Sequence, residues 1–207
     1  MDTNITETSS ANQETELYRT RWVVLGLFFL AYASSSIQRT EYLIVIDTVS
    51  EYYNVSYMAV IWTSLVYLLT TGAFCLLSGY LTDKLGLRKG ILIGITGTCV
   101  STWIKLASVS SSRFWVLMLA QTIGGIFQVF LLNIPSKLAS TWFGPKEIST
   151  ACSIGVFGYQ FGAGISSLIP PMVVNRRRGT TSVEKGLYSF TIAMVVATTI
   201  TLVLVYF

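Results

Sequence analysis

The 207-residue sequence contains no histidine, and only 12% of its residues are charged. Without histidine the commonest metal ligand and the commonest general base are both missing, so a metalloenzyme or hydrolase is a poor reading and no catalytic residue is assigned. Soluble domains usually carry about 25% charged residues, which sets this chain apart from water-soluble folds. Cysteine is scarce as well. Cys75, Cys99 and Cys152 each fall inside an apolar run, with no CxxC pair and no disulfide framework, and read as small packing residues. Metal ligands and cofactors are therefore not expected. The net charge of +4 is spread over loop ends rather than gathered into a stripe, which argues against nucleic acid as a partner.

What is present is apolar length. Six runs, Trp22–Ile46, Met58–Leu81, Ile91–Val109, Phe114–Pro135, Ile148–Val174 and Leu187–Phe207, carry few charges, and the mean hydropathy is +0.61. Runs of about 20 residues at ~1.5 Å rise each cross a hydrocarbon core roughly 30 Å thick. The expected fold is all-α and integral to the membrane, with a tail over residues 1–20 and a six-helix transmembrane domain over residues 21–207. The lipid bilayer is its first partner. Asp2, Glu7, Glu14 and Glu16 make the tail unlike the basic flank of a cleaved signal peptide, so the first run stays as an anchor.

Orientation follows from Lys and Arg in short loops, which cytoplasmic loops retain. With the tail in the cytosol, that side holds Arg19, Arg21, Lys84, Arg88, Lys89, Lys137 and Lys146, and the other holds Arg113, Arg176, Arg177, Arg178 and Lys185. The margin is narrow and the Arg176–Arg178 run breaks the rule. The loop after the first run decides the orientation, because it lacks Lys and Arg and holds Asp47, Glu51 and the sequon Asn54-Val55-Ser56. Asn54 is a glycosylation candidate on the outer face, whereas a second sequon at Asn4 is expected to be cytosolic and idle.

Between the second and third runs lies Gly79-Tyr-Leu-Thr-Asp83-Lys84-Leu-Gly86-Leu-Arg88-Lys89. Gly79 and Asp83 share one helical face, where a missing side chain permits close helix contact. Asp83 can accept from backbone N–H groups or pair with a neighbouring cation. Gly86 suits a turn of positive φ, and Lys84, Arg88 and Lys89 fall at the level of inner-leaflet phosphates. The segment resembles the loop signature of the major facilitator superfamily between its second and third helices. The resemblance implies a conformational gate that steadies one closed state by contact with a second six-helix half.

Further segments narrow the likeness: Tyr18-Arg-Thr-Arg21-Trp22, Trp103-Ile-Lys105-Leu, Gln128-Val-Phe-Leu, Pro135-Ser-Lys-Leu-Ala-Ser-Thr-Trp142-Phe-Gly144, and the block from Ser149 to Pro171 with Gly155, Gly158, Gln160, Gly162 and Gly164. Together they resemble the feline leukaemia virus subgroup C receptor family, facilitator-type transporters linked to choline, ethanolamine and haem. The likeness covers most of the chain after residue 18 and corresponds to that family's N-terminal six-helix domain. Gly158 and Gly162 have the GxxxG spacing of closely packed membrane helices, and packing is the ordinary use of such glycines. Gln121, Gln128, Asn133 and Gln160 are costly inside a membrane unless they meet a partner helix or a wet cavity. The resemblance implies a role for Gln128 in the central substrate site.

In the first run the chain departs from that family. Where relatives carry Gln-Trp-x-Gln-Tyr, whose tryptophan can hold a quaternary ammonium by cation–π attraction, this chain has Gln38-Arg39-Thr40-Glu41-Tyr42. Arg39 facing a cavity favours an anionic substrate. The alternatives are an internal pair with Glu41, which two residues along a helix disfavour, and snorkelling to the outer interface. The substrate-cavity candidates are Arg39, Tyr42, Gln128 and Gln160. Lys105, toward the outer end of its run, is expected to snorkel. The absence of histidine weakens haem as cargo without excluding it.

The expected function is transport of a small polar or amphiphilic metabolite such as choline, ethanolamine or haem, by alternating access about a site between two six-helix halves. The expected location is a multi-pass protein of the plasma membrane rather than an internal one. Ending on Tyr206-Phe207 without a polar loop, the chain reads as the first half of such a transporter. It would act with a second six-helix half. The alternative is a truncated, non-transporting membrane protein that modulates a full-length relative.

Overall fold

The computed structural model describes residues 20–173 and 180–206. The tail before Thr20, with the Asn4 sequon and Arg19, and the Arg176–Arg178 run lie outside the described residues. Among the described residues eight helices run in order: α1 (Thr20–Ile44), α2 (Ile46–Tyr53), α3 (Tyr57–Leu85), α4 (Leu87–Ser108), α5 (Phe114–Leu132), α6 (Ile134–Trp142), α7 (Ile148–Val173) and α8 (Thr180–Tyr206). Six stretches are long and apolar enough to span a membrane: α1, α3, α4, α5 continued by α6, α7 and α8. The fold is an all-α integral-membrane bundle.

Local chemistry explains most of the breaks. Ser56 accepts the Ala59 N–H at 3.2 Å and starts α3, while α2 stops where Asn54 takes a left-handed conformation at φ 51°. Gly86, at φ 87°, separates α3 from α4 and donates its N–H to the Thr82 carbonyl. Pro135 opens α6, where its missing N–H costs least, and divides the fourth span without ending it. That span therefore continues to Trp142 rather than stopping at Pro135, because Leu138 and Ala139 are buried in the core. α4 likewise begins at Leu87 instead of Ile91, since a first turn carrying Arg88 and Lys89 remains helical even though it is polar.

α1 packs most closely on α7, α5 on both α4 and α3, and α8 on α4. Behind the first pairing is the Gly158–Gly162 face. A Cβ at Gly162 would stand 2.2 Å from the Ala33 carbonyl oxygen, and one at Gly158 would stand 2.9 Å from that of Phe29. Gly79 differs: its Cβ would meet only Asn133 Nδ2, at 3.8 Å, so the close contact expected there is absent. α2 lies against the end of α4, where Tyr52 and Tyr53 donate to the carbonyls of Val109 (2.7 Å) and Ser108 (2.9 Å). Burial raises both phenols above their ordinary pKa, so these donors stay protonated through the physiological range.

Candidate functional site

α1, α3, α5 and α7 surround a cavity of about 310 Å³. Its polar lining is Tyr32 and Arg39 from α1, Tyr67 and Thr71 from α3, Gln128 from α5, and Tyr159 and Gln160 from α7. Leu68, Leu132 and Val156 give it an apolar side. Tyr67 is held by Ser35, whose Oγ lies 3.2 Å from the phenol oxygen, and the Tyr32 and Tyr159 rings pack as a tilted pair with centroids 5.0 Å apart. Rigid aromatic walls with a few polar groups suit a small ligand with both polar and apolar parts.

Arg39 Nη1 donates to the Tyr159 hydroxyl at 2.7 Å, near the middle of α7. The guanidinium is thus turned into the bundle rather than snorkelling to the end of α1. Its Nε is buried with no hydrogen-bond partner. Glu41 does not neutralise it, because the carboxylate lies on another face of α1 and is bound to Lys105.

Lys105 overturns the snorkelling expectation. Its Nζ lies 2.8 Å from Glu41 Oε1, with side-chain exposures of 1% and 6% for the two residues. The same ammonium donates to the Gln38 carbonyl at 2.8 Å and sits 5.5 Å from the Tyr42 ring centroid. Lys105 lies on the inward face of α4 with Ser101, Thr102 and Ser108, whereas Trp103 is on the exposed face, so the ammonium points into the bundle and requires an internal partner. Tyr42, proposed above for the cavity, is therefore part of this cluster. It lines a separate, very small pocket with Glu41, Pro170 and Thr191. Gln121 and Asn133 also serve helix packing, donating to the carbonyls of Gln38 (3.2 Å) and Cys75 (3.4 Å). Of the four amides only Gln128 and Gln160 reach the cavity.

Tyr32, Tyr67 and Tyr159 carry no distinguishing sequence signal. Each is one aromatic in an apolar run, and only helix rotation brings them together. A larger cleft of about 570 Å³ lies between α1, α4, α6 and α8, but its lining is largely aliphatic, with Val23, Leu27, Ile91 and Leu204. Its polar residues, among them Thr20, Arg88 and Thr141, lie at helix ends, with Arg88 engaged by the Tyr206 carbonyl, so the smaller cavity, where polar groups converge from four helices, is the better candidate site.

At the other end of α3 the loop residues fall as follows. Asp83 pairs with Lys137 of α6, Arg88 donates to the Tyr206 carbonyl at 3.3 Å, and Lys84 and Lys89 are exposed. Arg21 and Glu147 pair at 2.9 Å at this same end, joining the start of α1 to the start of α7. Asn54, at the opposite end, is exposed. Among the described residues no three His, Cys, Asp or Glu side chains come together as metal ligands.

The chain is 45% identical over 165 residues to a choline/ethanolamine transporter of Danio rerio, covering 80% of this chain and 35% of that protein. It is 40% identical over 176 residues to choline/ethanolamine transporter FLVCR1 of Felis catus, covering 85% and 31%. An uncharacterized MFS-type transporter of Caenorhabditis elegans is 44% identical over 162 residues, covering 78% and 28%. The matched region thus spans about a third of the length of these relatives. The sequence profile of the Major Facilitator Superfamily matches residues 24–207, which takes in every helix around the cavity and the loop around Asp83. By that match the chain belongs to the Major Facilitator Superfamily.

Proposed function

We propose that the chain forms one six-helix wall of an alternating-access transporter for a small polar or amphiphilic metabolite, working with a second six-helix half. The observation that carries this reading is the cavity itself, where Arg39, Gln128 and Gln160 converge with three tyrosines. The cargo classes to compare are choline and ethanolamine, which the relatives' names print, haem, and an anionic metabolite of the kind Arg39 in the cavity favours. The plasma membrane is the proposed site of action. The Gly79–Lys89 segment acts as the gate, with Asp83 biasing the equilibrium between closed states through Lys137.

Untargeted metabolite uptake and efflux, in cells making the parent, Gln128→Ala or Asp83→Asn proteins, tests this. One metabolite should change with the parent and not with Gln128→Ala, while Asp83→Asn should slow its turnover far more than it weakens its binding. Identical metabolite profiles with and without the protein would overturn the transport reading.

A second reading, a non-transporting partner of a full-length relative, draws on the open apolar face of α3. In its most apolar stretch 17% of residues are buried, against 56% in α4, and Leu69, Leu76 and Tyr80 point outward. Co-purification of the chain with such a relative, together with changed transport by that relative, would favour it.

A further inference from the structure

We infer that the cavity selects a ligand carrying an oxyanion, a carboxylate or a phosphate, and disfavours a free quaternary ammonium. This rests on the transport reading and specifies its cargo. Among the described residues lining the cavity, Arg39 is the one charged side chain. Glu41, the nearest carboxylate along α1, is held by Lys105 at 2.8 Å and does not line the cavity. Among the described residues no carboxylate pairs with the guanidinium. One of its nitrogens is committed to Tyr159, whereas Nε is buried and unpartnered. An oxyanion entering the cavity meets a cation with no lining carboxylate beside it and gains a charge-assisted hydrogen bond from the guanidinium, which otherwise holds one tyrosine hydroxyl. The tyrosine hydroxyls and the Gln128 and Gln160 amides add neutral donors around the same volume, and Leu68, Leu132 and Val156 receive an apolar body. A quaternary ammonium can accept no hydrogen bond from the guanidinium and meets a like charge across a cavity that screens weakly.

Ligands of equal length and different charge separate the possibilities. Saturation-transfer NMR on the chain in lipid nanodiscs would be titrated with butyrate, butyl phosphate, 1-butanol and butyltrimethylammonium. Butyrate or butyl phosphate should bind about ten-fold more tightly than 1-butanol, the worth of one charge-assisted bond, and butyltrimethylammonium more weakly than the alcohol. Comparing the two anions tells carboxylate from phosphate. Arg39→Gln should abolish the preference and Arg39→Lys should retain part of it, each variant being checked by thermal unfolding. The order among the four probes needs no variant, so it remains decisive if Arg39→Gln fails to fold. Tighter binding of butyltrimethylammonium than of either anion overturns the inference while leaving the transport reading in place. No saturable binding by any probe also overturns the inference, and the metabolite profiles with and without the protein then decide the transport reading separately.

Discussion

Glu41 and Lys105 are almost wholly enclosed by helices, where either charge alone would cost several kilocalories per mole. Their pairing explains how α1 and α4 tolerate two ionised groups in an apolar setting. The Gln38 carbonyl and the Tyr42 ring complete the ammonium's surroundings, so removing one partner leaves an uncompensated buried charge. Glu41→Gln should therefore destabilise the chain by about 3–5 kcal/mol. The double variant Glu41→Gln with Lys105→Met should recover most of that loss, because both charges are then gone. Chemical unfolding in mixed micelles checks both, and a Glu41→Gln protein within about 1 kcal/mol of the parent would contradict the account. Arg39 behaves differently because its surroundings are a cavity rather than packed helix, so its charge is available to a ligand.

Small side chains decide how near the helices approach. With the Ala33 carbonyl 2.2 Å from where a Cβ would stand, Gly162→Ala must force α1 and α7 apart, at a cost of about 1–3 kcal/mol. The separation should also lengthen the Arg39–Tyr159 contact that spans the same pair of helices. Gly164 has open space around it, so Gly164→Ala should leave stability unchanged or raise it by up to about 1 kcal/mol through helix propensity. Unfolding midpoints of the two alanine variants measure the difference, and equal midpoints would remove the close-approach explanation. The GxxxG spacing pointed to this seam from sequence, whereas Gly79 matched the loop signature without a close contact, because Asn133 stands back from it. Spacing marks a candidate face, and the neighbour's side chains decide whether the face is used.

The bundle has two chemically distinct ends. One gathers Arg21, Asp83, Arg88, Lys137 and Glu147, and the other carries α2 and Asn54, with the whole of α3 between them. Basic loops favour the cytosol, so the Asp83 end should face inward and Asn54 outward. In a cysteine-free background, a membrane-impermeant maleimide applied to intact cells should label Asn54→Cys and leave Leu85→Cys unmodified. The opposite pattern would invert the topology and move the proposed gate to the outer face.

Much of this architecture was legible in the amino-acid order. Span number, the turn at Gly86 and an arginine in the first span all follow from local properties: apolar length, backbone freedom at glycine, and side-chain charge. α2 escaped notice because a short helix beside the membrane has no apolar length to announce it. The same order left three fates open for Arg39 and gave the wrong one for Lys105, because helical periodicity orients a side chain only about its own axis. Which helix stands opposite is set by packing. The contacts that decided the site join residues far apart in the chain, Lys105 to Glu41 and Arg39 to Tyr159, 64 and 120 positions distant. Only the folded bundle could assign one cation to structure and leave the other facing the cavity, since burial and the nearest counter-charge are properties of the assembled helices.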